Sequence, residues 1–153
     1  MAGEGLYYEL AVGAPGNRAI IIPVGELGGR VATAGEHELY RSMYMYGPEI
    51  LEHMKVLKSV KSYKGIYYMD TIIFDIDKGD NTNEATLDRA RHLVKQLSDE
   101  WLSEDCIWPF FSGRGYHITT PDFFGFTQGT HELPGIVNAT LMKYFPEDRK
   151  SVV

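Results

Sequence analysis

Apolar and polar positions alternate most clearly over residues 69–77. Ile72, Phe74 and Ile76 fall on one side of an extended chain, and Ile73, Asp75 and Asp77 on the other. That pattern predicts a strand with one buried face. Shorter extended runs are predicted over residues 6–12 and 19–24, around the turn Gly13-Ala14-Pro15-Gly16-Asn17. Two more, over residues 107–111 and 116–120, flank Ser112-Gly113-Arg114-Gly115. Helical spacing of Leu39, Met43 and Tyr46 predicts a helix over residues 36–46, which Gly47-Pro48 would end. Pro48 suits the first turn of a second helix running to about residue 57. Thr82 or Asn83 can cap a long helix reaching about Trp101, with Leu87, Ala90, Leu93, Val94 and Leu97 as its buried stripe. A last helix is predicted over Leu133–Tyr144, Gly28-Gly29 reads as a loop, and Ser151-Val152-Val153 reads as the start of a strand. Strands interleaved with helices in this order predict an α/β or α+β sandwich.

Composition narrows the picture. A chain of 153 residues corresponds to about one domain, and 44% hydrophobic with 24% charged residues excludes a disordered tail, a collagen or a coiled coil. The single cysteine, Cys106, excludes a disulfide framework or a cysteine-built metal site within the chain. It is expected in the core beside Ile107, Trp108 and Phe110. No apolar run approaches the ~20 residues of a membrane span, and Met1-Ala2-Gly3-Glu4-Gly5 has no basic region followed by an apolar core. An intracellular, reducing location is therefore expected. With a net charge of −6, contact with a phosphate polymer would need a local patch or bound cations.

Two segments carry candidate chemistry. In Phe74-Asp75-Ile76-Asp77, two acids at i, i+2 share one strand face with Cα atoms about 6.5–7 Å apart. Unpaired carboxylates so close repel one another and favour bound cations. Mg²⁺ and Mn²⁺ prefer such oxygen ligands, and paired metals clamp phosphoryl transfer. The alternative is a polar strand end that caps a loop. In Ser112-Gly113-Arg114-Gly115-Tyr116-His117, the glycines let backbone amides approach an anion. Ser112 adds a hydroxyl, Arg114 a fork that fits phosphate, and His117 an imidazole donor. Read by itself, the segment is equally a β-turn with an exposed arginine. Together the two segments supply the acidic, metal-binding half and the basic, phosphate-binding half of a nucleoside-triphosphate site.

A third feature is Lys55, Lys58, Lys61 and Lys64, spaced by three, which would form a shallow stripe on a continuing helix. With Arg41 they give the segment 41–64 five basic residues against two acidic ones, Glu49 and Glu52. The segment reads as a candidate nucleic-acid contact or a solvated helix face. Asp99, Glu100, Glu104 and Asp105 read as solvated surface, His37, His53, His92 and His131 as surface or packing residues. The cluster Phe123-Phe124-Gly125-Phe126 reads as core more than as a base-stacking platform.

The Asp75-x-Asp77 strand end, a long helix, and Ser-Gly-Arg-Gly-Tyr-His ending forty residues after Asp77 resemble the archaeo-eukaryotic primase superfamily. Thr120-Pro121-Asp122-Phe123-Phe124-Gly125-Phe126 and Leu39-Tyr40-Arg41-Ser42 are similar to its viral and plasmid branch. The resemblance spans roughly residues 36–126. It implies an N-terminal αβ unit and a catalytic part with RNA-recognition-motif-like topology. It further implies template-directed nucleotidyl transfer, as in a DNA primase or primase–polymerase. Asp75 and Asp77 would hold Mg²⁺ or Mn²⁺, and Ser112, Gly113, Arg114 and His117 would grip the triphosphate. Implied partners are nucleoside triphosphates, a single-stranded or primed DNA template, and a helicase or other replication protein. The family's third acidic motif lies on a later strand. Neither Asp122 nor Asp148 stands where that acid is expected, so the reading is a single catalytic domain, residues 1–153, incomplete at its C-terminal end. Two other readings remain: a non-catalytic nucleic-acid-binding module of the same fold, and a phosphatase of the haloacid-dehalogenase type with Asp75 as nucleophile, although Gly79 stands where that family has Thr or Val.

Overall fold

The computed structural model describes residues 5–126 and 129–146. Asp148 and the strand expected at 151–153 lie outside them. The mixture of helices and antiparallel sheets makes the chain an α+β protein, as the order of predicted elements requires. Its contacts group into two compact units, Met1–Met69 with Gln128–Leu133, and Asp70–Thr127 with Pro134–Val153.

In the first unit, β1 (Tyr7–Val12) pairs antiparallel with β2 (Ile20–Pro23), close to the expected ranges. Glu9 stabilises the connecting turn from inside the sheet. Its buried carboxylate accepts from the Arg18 side chain and from the backbone N–H of Ala19, which holds a positive φ of 78°. Tyr8, Leu10, Ile22 and Met45 form the buried cluster of this sheet. The helix predicted over residues 36–46 is instead two short strands, β3 (Leu39–Arg41) and β4 (Met45–Tyr46), both paired to the same edge of β1. Ser42 makes the break between them. Its N–H donates to the Glu9 carbonyl, and its hydroxyl accepts from the Glu9 N–H and donates to the Tyr44 carbonyl. The open edge of β1 supplies long-range backbone partners that outweigh the helical spacing of three apolar residues. The glycine pair expected in a loop lies in α1 (Leu27–Thr33), a short exposed helix whose Leu27 packs on the sheet cluster. α2 (Ile50–Leu57) ends where Lys58 turns left-handed, with φ 53°. β5 (Tyr67–Tyr68) closes the sheet beside β4, and Tyr46, Tyr63 and Tyr67 form a cluster of tilted and edge-to-face rings.

The second unit starts with β6 (Thr71–Ile76), whose alternate residues are buried as the sequence pattern predicts. α3 (Asn83–Glu100) follows, its first turn capped by Thr82 Oγ1, which accepts from the Ala85 N–H. Thr86, Ala90, Leu93 and Leu97 are its buried residues, while the predicted Leu87 and Val94 are only partly covered. β7 (Trp108–Phe111) and β8 (Tyr116–Pro121) form a hairpin, and α4 (Leu133–Tyr144) occupies its predicted range. The sheet order is β6-β8-β7 with antiparallel neighbours, so α3 crosses between two parallel strands with β8 inserted between them. The order β-α-β-β-α follows the first five elements of the β-α-β-β-α-β arrangement. Ile72, Phe74, Ile76 and Ile118 make the helix-facing core, closed by the edge-to-face contact of Phe74 with Phe145 at 5.3 Å.

Cys106 is half-buried at a short 3-10 turn, but Trp108 and Phe110 beside it are exposed rather than core. Phe123 and Phe124 pack with Trp101 and Phe145, so their rings serve the fold. Among the described residues, no helix is long and apolar enough to cross a membrane.

Candidate active site

Antiparallel register places Asp75 of β6 opposite His117 of β8, which in turn lies opposite Phe110 of β7. All three belong to the sheet face that points away from α3, because Ile76, Ile118 and Phe74 take the helix side. His117 Nε2 lies 3.3 Å from Asp75 Oδ1, with side chains 42% and 33% exposed. The carboxylate is thus held by a neighbour and still reachable from solvent. Asp77 follows the end of the strand and is exposed. Arg89 of α3 donates to its backbone carbonyl at 3.4 Å, tying the strand end to the helix.

The Ser112–Gly115 turn lies against this same strand end, and its two glycines have different structural causes. Gly113 has φ 99°, a conformation that side chains other than glycine's rarely adopt. Gly115 is buried, and a Cβ there would sit 1.9 Å from the Ile76 carbonyl oxygen and 3.2 Å from Asp77 Cα. The turn closes with the Ser112 N–H donating to the Gly115 carbonyl at 2.9 Å and the Gly115 N–H donating to Ser112 Oγ at 3.2 Å. Ser112 keeps its hydroxyl proton for another acceptor. Ser112, Gly113 and Arg114 are exposed, and Arg114 meets no carboxylate among the described residues. The fold therefore brings the acidic segment and the Gly-Arg-Gly segment together at one end of one sheet.

Of the other predicted residues, Asp122 belongs to the same unit as that arrangement, and Arg41 and the lysines belong to the first unit. Asp122 lies at the opposite end of β6, where its N–H donates to the Asp70 carbonyl and its Oδ1 accepts from Phe124 and Gly125. Among the described residues, no group of three or more His, Cys, Asp or Glu gathers at a metal-holding distance. The lysine stripe does not form, since only Lys55 is helical. Lys58 is the cap residue of α2, and Lys61 and Lys64 lie in the following loop. Lys55 is paired with Glu52 at 3.0 Å, and the Arg41 guanidinium lies over the Tyr8 ring at 4.7 Å. Lys58, Lys61 and Lys64 are exposed.

A groove of about 640 Å³ runs between α3 and the β7–β8 hairpin, bordered by Leu87, Arg91, Val94, Pro109, Phe111 and Ile118. It lies on the helix side of the sheet, and none of Asp75, Asp77, Ser112, Arg114 or His117 borders it. The chemistry-bearing residues sit instead on a partly exposed surface. Sequence reading missed the exposure of Trp108 and Phe110 on this open face. The period-two separation of the two rings by Pro109 was the available signal. Comparisons with protein-family models, curated proteins and solved structures give no match to this chain.

Proposed function

We propose that the protein is a metal-dependent nucleotidyl transferase of the primase–polymerase kind, acting on nucleoside triphosphates along a single-stranded or primed DNA template. The observation that carries this reading is the meeting of two chemically opposite segments: His117 Nε2 is 3.3 Å from Asp75 Oδ1, and Gly115 is seated on the backbone of Ile76 and Asp77. Asp75 and Asp77 offer hard oxygen donors on a partly exposed surface, which fits Mg²⁺ or Mn²⁺. The two carboxylates would hold such an ion only in part, leaving room for phosphate oxygens and water. When bound, the ion polarises the phosphate oxygens and lowers the pKa of an attacking hydroxyl.

The rest is the work of the chain itself. Gly113, exposed and with φ 99°, gives the turn a shape in which backbone can approach a phosphate, while Gly115 seats the turn on β6. Ser112 donates its free hydroxyl proton, and Arg114 brings a charge-assisted fork. His117 orients the Asp75 carboxylate through Nε2 and, in its protonated form, would offer the Nδ1–H to a phosphate oxygen. The exposed Lys58, Lys61 and Lys64 are suited to contact a template backbone, and a helicase or another replication protein is the natural partner for such an activity. A second reading, a nucleotide-binding module of the same fold without transfer, is favoured by the presence of only two acids at the site among the described residues.

A nucleotide-incorporation assay on a primed template, with Mg²⁺ or Mn²⁺, tests the proposal. Incorporation that disappears in Asp75→Asn and in Asp77→Asn is the expected result. Binding of the triphosphate without incorporation supports the second reading. Phosphate release from a small ester in place of incorporation overturns both and points to a phosphatase.

A further inference from the structure

β7 reads Trp108-Pro109-Phe110-Phe111, and its three rings are 59%, 55% and 67% exposed in that order. Four consecutive exposed residues of this kind on an edge strand are a liability unless something covers them. Their roles divide by face. By register Pro109 and Phe111 face α3, and Phe111 has a ring partner in Tyr116 at 5.3 Å; Phe110 also contributes to the border of the groove beside α3. Trp108 and Phe110 lie on the opposite face, in register with Thr119 and His117, and neither has a ring partner among the described residues.

The free edge of β7 is a poor template for another strand. The hydrogen bond from Ser112 N–H to the Gly115 carbonyl sets the alternation of the hairpin. By that alternation Pro109 and Phe111 turn their backbone groups outward. At Pro109 the outward N–H is missing. The exposed rings are therefore disposed to bind through their faces.

We propose that Phe110 and Trp108 form a base-stacking subsite for a nucleoside triphosphate. The proposal rests on the assignment of the phosphates to Ser112 and Arg114. Phe110 stands two residues from Ser112, about 7 Å along the strand, and Trp108 stands about 7 Å farther. A ligand whose anionic end occupies the turn thus lays its planar end over the rings. A nucleic-acid strand fits this face less well, because tracking a backbone needs a row of cations. The neighbouring strand positions on this face are Ile73, Asp75, His117 and Thr119, with no lysine or arginine among them. Stacking on ring faces tolerates any base, so the subsite strengthens binding without selecting the nucleotide.

Calorimetric titration of a nucleoside triphosphate and of inorganic tripolyphosphate, each with Mn²⁺, tests the subsite. The proteins are the parent, Phe110→Leu, Phe110→Tyr, Trp108→Ala and Arg114→Ala, each checked by circular dichroism for an unchanged fold. Phe110→Leu and Trp108→Ala are expected to weaken the nucleoside triphosphate about five- to hundredfold. Both should leave tripolyphosphate within about twofold of the parent, and Phe110→Tyr should retain binding. Arg114→Ala weakens both ligands. Equal nucleoside-triphosphate affinity in the parent and the ring variants, with Arg114 still required, overturns the stacking subsite and leaves the phosphate site standing. Failure of the parent to bind either ligand overturns both. Ring-dependent binding of an oligonucleotide, or of a second copy of the chain, without a nucleoside-triphosphate response also overturns the proposal.

Discussion

Replacing Gly115 by alanine tests how tightly the Ser112–Gly115 turn is fixed to β6. The added Cβ would stand 1.9 Å from the Ile76 carbonyl oxygen, 3.0 Å from the Ile76 carbonyl carbon and 3.2 Å from Asp77 Cα. All three are backbone atoms of a paired strand or its end, so no flexible side chain can yield. Overpacking of this kind costs about 1–3 kcal/mol, which for a chain of this size lowers Tm by about 2–12 °C. Gly135 provides the opposing control. It lies exposed in α4, and a methyl group added there would meet nothing within 4 Å. Gly135→Ala should therefore stabilise by about 0.5–1 kcal/mol through backbone entropy. Thermal and urea unfolding of the two variants give the comparison. Because relief of the clash moves the turn off β6, Gly115→Ala should also weaken triphosphate binding, whereas Gly135→Ala should not. A Gly115→Ala protein within about 0.5 kcal/mol of the parent and with full binding would refute the claim that the turn is seated on Ile76 and Asp77.

Arg114→Ala should weaken binding of a metal–nucleoside triphosphate about ten- to hundredfold, the equivalent of a charge-assisted contact of about 1.5–3 kcal/mol; an unchanged calorimetric titration removes Arg114 from the site. The tyrosine cluster predicts an alkaline limit to stability. Burial pushes the Tyr44 phenol up to about 12, and burial together with Glu49 does the same at Tyr63, while burial raises Tyr46 further. Their neutral forms are favoured in the folded state, so this contribution is complete below pH 10 and is lost as pH rises from 10 through 12. Phenolate absorbance of these residues should accordingly appear together with unfolding of the first unit. Ionisation near pH 10 with the fold intact would contradict the assigned burial.

The sequence pattern was most legible where local and long-range preferences agree. The alternation through Ile72, Phe74 and Ile76 predicts β6 and its buried face, Thr82 caps α3 as expected, and α4 matches its range. The acidic pair and the Gly-Arg-Gly turn were visible as motifs, but only the β6–β8 register puts Asp75 beside His117. Failures cluster where a tertiary partner decides. Leu39, Met43 and Tyr46 have helical spacing, but the unpaired edge of β1 and the Ser42 bonds draw the segment into strands. The three-residue spacing of the lysines suggested a stripe that the left-handed Lys58 terminates. Trp108 and Phe110 read as core by hydrophobicity, because a sequence does not reveal that β7 is an edge with one uncovered face.

The proposed function requires Asp75 and Asp77 to bind a divalent ion carried by a nucleoside triphosphate. Calorimetric titration of a nucleoside triphosphate against the parent, Asp75→Asn and Asp77→Asn, each with Mn²⁺ and with chelator in its place, tests it most directly. The parent is predicted to bind only with the ion present, and each variant to bind at least about tenfold more weakly, since each loses a charged ligand to the metal. Equal binding with and without Mn²⁺, or undiminished binding in both asparagine variants, would contradict it.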